Sequence, residues 1–304
     1  MQLIKQLRQA SGAPMADCKN AVMATASLEE AFEWLRKKGL SRAAKMADRV
    51  AEQGLVALRV NASRTLGCIV EVRSETDFVA RNELFQARLR FSPLEAAEGG
   101  TLPTQASLTT KAAEVDAEAL RELSLEAKDG TKRSTADAAV ALSATVGEKV
   151  TLRRAAIVGS RDSLVAGYTH NTLATGLGSH AALVAVRSLS GASLADIQSM
   201  AEAAKRVAMH VVAAKPSYLD GSCVPEADLD AERAILQEQV ASMNKPENIV
   251  AKILGSKLDK FVAERSLSTQ LSVVDEGKRT IAKILKDDFG LELESYALLV
   301  AGKG

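Results

Sequence analysis

Residues able to do covalent chemistry are sparse in this chain and poorly placed for it. Its three cysteines, Cys18, Cys68 and Cys223, are far apart and odd in number. No CxxC or Cys/His cluster is present, so neither a zinc site nor a disulfide framework is supported. This usage fits a reducing compartment. No Gly-rich phosphate loop and no nucleophile–base motif occurs, so neither enzyme chemistry nor a cofactor is expected. What stands out is the run Glu75-Thr76-Asp77-Phe78-Val79, directly after an apolar, β-rich segment. It sets a carboxylate and an aromatic ring side by side where the chain changes direction. Two readings stand. Asp77 is the N-cap of the next helix and Phe78 its first core residue, or the pair projects outward to touch another molecule.

The elements that must position this run follow from periodicity. Residues 1–50 read as a small helical unit. Leu3, Ile4 and Leu7 share a face, and Ser11-Gly12-Ala13-Pro14 breaks the helix. A second helix starts near Met15. Ser27 and Glu30 form a capping-box pattern before a third, with Gly39 as a C-terminal stop. Three such helices resemble a ubiquitin-associated (UBA) domain. A polar helical connector, 41–51, follows. Leu55–Val60 and Cys68–Val72 are then β-rich runs separated by the polar stretch 61–65, as in a hairpin. A helix is expected from Phe78 to before Pro93, and a variable connection with some helix over 94–135. A helix at Ala136–Val146 and a strand at Thr151–Val158 follow.

The second half repeats the theme, with strands near Val165–Tyr168, Ala181–Val186 and Tyr296–Val300 and a helix from Leu194 to about Ala213. Asp228–Met243 and Glu247–Arg265 are two charged helices with narrow apolar stripes joined by Asn244-Lys245-Pro246. They read as an antiparallel hairpin of protruding coiled-coil type. The expected fold is therefore α+β. A helical domain spans 1–50, and a core N-subdomain 51–158. A core C-subdomain spans 159–304, with the hairpin inserted at 228–265. Both core subdomains carry antiparallel sheets.

Composition narrows the function further. The 304 residues are 47% hydrophobic and 25% charged, an ordinary globular balance. Aromatics make up only 3%, so alanine and leucine must fill much of the core, which favours helices. Lys+Arg 39 against Asp+Glu 38 gives no basic excess, which argues against a dedicated nucleic-acid binder. Only the first 49 residues lean basic, nine to five, and a solvated helix surface explains that. No apolar run approaches the roughly 20 residues of a membrane span. The opening residues run straight into amphipathic sequence, so a targeting peptide is absent or was removed before this numbering begins.

Several segments in a fixed order resemble the elongation factor Ts family over most of the chain. They are Ile4-Lys5-Gln6-Leu7-Arg8 with Ser11–Lys19; Leu35–Gly39 with Ala43-Ala44-Lys45; Thr76-Asp77-Phe78-Val79-Ala80-Arg81-Asn82; Gly147-Glu148-Lys149-Val150 leading to Arg153-Arg154; and Ala208–Pro216. The resemblance implies a nucleotide-exchange factor that releases GDP from elongation factor Tu without covalent chemistry. It implies partner contact through Thr76, Asp77, Phe78, Val79 and Asn82, with Phe78 as a wedge beside the partner's metal site. It also implies contact through Arg8, Met15 and His170. Arg8 as a surface charge, Met15 as a core residue and His170 as a bystander remain open beside that. His210 reads as structural. The opening Leu-Ile-Lys-Gln-Leu-Arg and the segment Met209–Pro216 lean toward a plant or algal mitochondrial branch, hence the mitochondrial matrix. A bacterial cytoplasm or plastid is the alternative.

Some positions depart from the family wording: Ala16; Arg73-Ser74; Pro93; Thr269-Gln270-Leu271-Ser272; and the short tail at Gly302-Lys303-Gly304. They motivate a second reading, a structural subunit of a large organelle assembly with weakened or lost exchange activity. No direct nucleic-acid contact and no membrane insertion are expected under either.

Overall fold

The computed structural model describes residues 1–46, 48–82, 85, 113–115, 122, 124–126, 132–160, 162–189, 197–241 and 246–302. The expected continuation of the Phe78 helix toward Pro93, the start of a helix at Leu194, the turn at Asn244-Lys245 and the last two residues lie outside them.

Helices α1 (Gln2–Ser11), α2 (Met15–Ala24) and α3 (Leu28–Lys45) form the N-terminal unit. Gly12 stops α1 in the left-handed region, φ 70°, and its N–H reaches the Arg8 carbonyl at 2.8 Å. Leu7, Cys18, Ala21 and Ala31 make the buried centre. Ser27 Oγ accepts the Glu30 N–H at 3.1 Å, but the Glu30 carboxylate takes the Ala26 N–H in place of Ser27's own. Asp17, only 6% exposed, takes Lys38 Nζ on one oxygen and Arg42 Nη1 on the other, each at 2.8 Å. That clamp ties α2 to α3.

Gly39 does not end α3. The helix continues through it to Lys45, because Gly39 is where α3 meets helix α5 (Thr135–Val146). A Cβ built there would sit 3.3 Å from the Ala144 Cβ. Gly39 thus serves close helix packing and not chain reversal. Arg36 and Asp137 bridge the same seam at 3.4 Å.

Two antiparallel sheets follow. The first has the order β3 (Ala113–Val115), β6 (Thr151–Val158), β2 (Gly67–Ser74), β1 (Gln53–Val60), β8 (Leu177–Gly178). The expected hairpin is present, with Leu55 opposite Val72 and Val60 opposite Gly67. The second sheet has the order β10 (Leu291–Val300), β9 (His180–Ser188), β7 (Ser163–His170). A two-stranded ribbon, β4 (Ser124–Glu126) with β5 (Lys132–Ser134), completes the described strands; the polar composition of 94–135 does not announce it.

Period-2 alternation sorts each strand between two cores. Leu55, Ala57, Val70, Val72, Ala155 and Ile157 face Leu142 of α5 and Phe85. Their neighbours Val56, Ile69, Ala156 and Val158 face the second sheet, meeting Val165, Leu183, Ala185 and Leu299. The far side of that second sheet is covered by α6 (Ile197–Ala214) and α9 (Ile281–Phe289). The result is four layers, helix, sheet, sheet, helix. Gly167 lets the sheets close: a Cβ there would lie 2.6 Å from Leu58 Cδ1. Helices α7 (Glu226–Ala241) and α8 (Glu247–Arg265) pack on each other. Val250, Ile253, Leu254, Leu258, Phe261 and Val262 form a half-buried stripe on α8, and Lys257 Nζ donates to Gln239 Oε1 at 3.0 Å.

Among the described residues, a buried charge lies between the layers. Glu71 is fully buried, and its carboxylate accepts from Arg73 Nε at 2.8 Å, Arg154 Nε at 2.6 Å and the Gly302 N–H at 3.0 Å. It joins β2 and β6 to the residues just past β10.

Candidate functional site

Strand β2 leads straight into the Glu75–Asn82 corner. The following turn, α4 (Asp77–Ala80), is capped by Thr76 and not by Asp77: Thr76 Oγ accepts the Val79 N–H at 3.4 Å. Thr76 and Asp77 are adjacent residues of the same capping class, so composition does not separate them. Asp77 is the first helical residue, exposed, with Arg81 Nε 3.6 Å from its carboxylate. Phe78 is 81% exposed. It is not the first core residue of the turn; Val79 and Ala80 take that place, at 8% and 3%. Val79 is thereby turned inward, away from any partner, while Asn82 is exposed.

The corner is fastened from a distant segment. The Thr76 N–H donates to Glu148 Oε2 at 2.9 Å and the Thr76 hydroxyl to Glu148 Oε1 at 2.6 Å. In return the Lys149 N–H donates to Glu75 Oε1 at 2.6 Å. Arg49 Nη1 lies 3.3 Å from the same oxygen, and Lys149 Nζ donates to the Arg49 carbonyl at 2.8 Å. Ser74, buried, sends its hydroxyl to the Thr76 carbonyl at 2.9 Å. The backbone that carries the exposed Phe78 is thereby tied at several points, which fixes where its side chain leaves the chain.

The other expected contact residues lie on different elements. Arg8 is exposed in the last turn of α1, and Met15, 44% exposed, opens α2 and is not core. His170 is exposed at the end of β7. Its Nδ1 is 3.1 Å from the Tyr168 hydroxyl, and its ring meets that of His180 edge-on at 5.9 Å. Beside it opens a cleft of about 840 Å³ lined by Tyr168, Thr169 and Thr172, with Arg59, Arg64 and Lys205 on its walls. Among the described residues no cluster of three or more potential metal ligands occurs, and no helix is long and apolar enough to cross a membrane.

His210 is a buried structural residue on α6. Its Nδ1 accepts the Val273 N–H at 3.2 Å, so Nε2 carries the proton and donates to Gln270 Oε1 at 2.9 Å. Burial depresses its pKa, and the Gln270 bond opposes this only in part. Below the ordinary value of about 6.5 the unfolded chain therefore binds the proton that the folded chain refuses. Stability is full above that value and falls with pH until the depressed folded value is reached. Urea midpoints at pH 7.5 and 5.5 should show the loss, and His210→Asn should lack that part of it. An unchanged difference between the two pH values in the variant would remove His210 as the cause. The rest of the Ala208–Pro216 segment is structural too. Lys215, φ 49°, turns the chain after α6, and the Pro216 carbonyl accepts the Tyr296 hydroxyl at 2.8 Å.

Comparison with known proteins gives the class. Residues 75–303 match the family model described as Elongation factor TS. The Elongation factor Ts of Paramagnetospirillum magneticum is 38% identical over 308 residues, covering 99% of this chain and 91% of that protein. That of Rhodospirillum rubrum is 40% identical, covering 99% and 92%. That of Sphingopyxis alaskensis is 40% identical, covering 93% and 84%. The chain belongs to the elongation factor Ts family, and its function is that of a translation elongation factor of this type. These relatives are bacterial, and they lend no support to the plant or algal mitochondrial branch that the wording of two segments suggested.

Proposed function

We propose that the chain releases GDP from elongation factor Tu by pressing the Thr76–Phe78 corner into its partner. The observation that carries this is the 81% exposure of Phe78 on a backbone fixed by Glu148 and Glu75. Left in water, the ring forfeits the roughly 1.5–3 kcal/mol that full burial of such a side chain returns. A gap in the partner that opens only when the nucleotide and its metal have let go would return that energy to the empty state alone. Differential affinity of this kind is all that a binding protein can use to shift an equilibrium. At about 1.4 kcal/mol per factor of ten, it supports roughly a ten- to hundredfold weakening of GDP. Asp77 adds a carboxylate at the same point, where it disturbs the partner's metal and phosphate region. No bond is made or broken, and the protein needs no cofactor.

The remaining parts are docking surfaces in this reading. Residues 1–50 form a UBA-like domain that applies Arg8 and Met15 to the partner's nucleotide domain. The core subdomains, 51–158 and 159–304, present the corner and His170. The helical pair within 228–265 acts as a coiled-coil arm reaching a separate region. Val79 stabilises the turn from inside. With bacterial relatives in hand, we favour the bacterial cytoplasm over the mitochondrial matrix or a plastid.

Calorimetric titration tests the linkage. The chain should bind nucleotide-free elongation factor Tu tightly and lose affinity as GDP is raised, by the factor through which it weakens GDP. Titrated alone with a fluorescent guanine nucleotide, it should show no saturable sub-micromolar binding. Partner affinity independent of GDP would contradict the proposal.

A further inference from the structure

We infer that Glu148 is a positioning residue for exchange, acting through Thr76 to aim Phe78; this rests on the reading of the corner as the exchange element. Glu148 follows Gly147, which ends α5 in the left-handed region at φ 79°, so the end of a long helix sets where its carboxylate lies. Both carboxylate oxygens are spent on one residue: the Thr76 N–H at 2.9 Å and the Thr76 hydroxyl at 2.6 Å. Thr76 in turn caps the turn that begins at Asp77, through the Val79 N–H. Glu148 therefore touches the first fixed point of the turn, two residues before the ring. The backbone beside it is held from the opposite side, Lys149 N–H to Glu75. The two segments exchange a carboxylate each, so the 147–149 loop and the 74–76 corner move as one piece.

The chemistry of the pair distinguishes positioning from mere charge. A glutamine at 148 can accept the Thr76 N–H with its amide oxygen and donate its amide N–H to the Thr76 hydroxyl oxygen, which has lone pairs for this and for the Val79 N–H. The negative charge is lost and the geometry kept. An alanine loses both bonds, and hydrogen bonds to a charged group are the strong ones. A corner released in this way samples orientations in which the ring misses its gap. The penalty falls on release and hardly on docking, since the other surfaces are untouched.

Release of labelled GDP from elongation factor Tu, measured by stopped flow across a range of exchange-factor concentrations, tests this. Glu148→Ala should slow release at saturation by at least about tenfold, with the half-saturating concentration changed less than about threefold. Glu148→Gln should restore most of the rate. In a Phe78→Ala background, Glu148→Ala should add less than about a twofold effect, because the two act as one element. Should Glu148→Ala fail to fold, Glu148→Asp, which keeps the charge and draws the carboxylate back from Thr76 by one methylene, takes its place, again with slowed release at saturation and a half-saturating concentration changed less than about threefold. Wild-type release by Glu148→Ala, a full multiplication of the two effects, or a Glu148→Gln as slow as Glu148→Ala would each overturn the positioning role. A separate failure is visible in the same data. If Phe78→Ala alone releases GDP normally, the corner is not the exchange element, and any slowing by Glu148→Ala arises elsewhere.

Discussion

Phe78→Ala should slow the release of GDP from elongation factor Tu by about thirtyfold or more while barely moving the thermal midpoint of the protein. The two halves of this expectation have one cause. Truncating a buried phenylalanine costs roughly 3–5 kcal/mol of stability because a cavity is left. Phe78 is 81% exposed and supports no core, so its removal leaves none. At an interface, loss of an anchoring aromatic typically costs about 2 kcal/mol or more, which is the thirtyfold. Asp77→Ala should act in the same direction, and the double variant should fall short of the product, since both residues stand on the turn that Thr76 caps. Stopped-flow release and a thermal melt of each variant decide the matter. Normal release from folded variants would take the corner out of the mechanism and place the exchange element on another surface.

The second large effect is on stability. Glu71→Ala should lower the unfolding free energy of the core by about 3–5 kcal/mol, because it removes one partner of a buried ionic cluster. Glu71 is fully buried, and its loss takes the shared carboxylate away from the Arg73 and Arg154 guanidinium groups. It also frees the Gly302 N–H that anchors the chain beyond β10. Glu71→Gln keeps the shape and some of these bonds and should lose less. Urea unfolding followed by far-ultraviolet circular dichroism is the suitable measurement. Trp34, the sole tryptophan, sits in α3 and its fluorescence reports the N-terminal unit instead. A loss under about 1 kcal/mol would mean that the two arginines, 13% and 31% exposed, regain water without help.

The strands were legible because composition and the polar stretches that bound them are local signals. Leu55–Val60, Cys68–Val72 and Thr151–Val158 are each rich in residues that suit a strand buried on both faces, and the structure adds two residues at the start of the first, and one at the start and two at the end of the second. The helical pair at 226–265 was legible for the same reason. What sequence could not announce depends on residues far apart. Gly39 reads as a stop until α5 is laid against it. Glu148 stands in a matching segment, but nothing in the sequence links it to Thr76, 72 positions earlier, whose N–H and hydroxyl its carboxylate accepts. Glu71 lies within the run Cys68–Val72, and its partners Arg154 and Gly302 are distant in the chain. The two-residue strand β8 has no pattern of its own, yet it borders β1. At the corner, the motif singles out Phe78, and its exposure in the structure rules out a core position.

The departures from family wording are absorbed where the structure describes them. Arg73 pairs with Glu71, and Ser74 bonds the Thr76 carbonyl inside the corner. Gln270, in the altered stretch after the helical pair, bridges His210 and the Glu264 carbonyl. None of these residues displaces Thr76, Asp77 or Phe78.

One measurement bears most directly on exchange itself. Elongation factor Tu loaded with a fluorescent GDP is mixed with excess unlabelled GDP and a tenth as much of this chain. Turnover of the whole partner pool, at a rate rising with the amount of chain added, is the expected result. Release at the spontaneous rate, with the chain folded and the partner active toward another exchange factor, would contradict it.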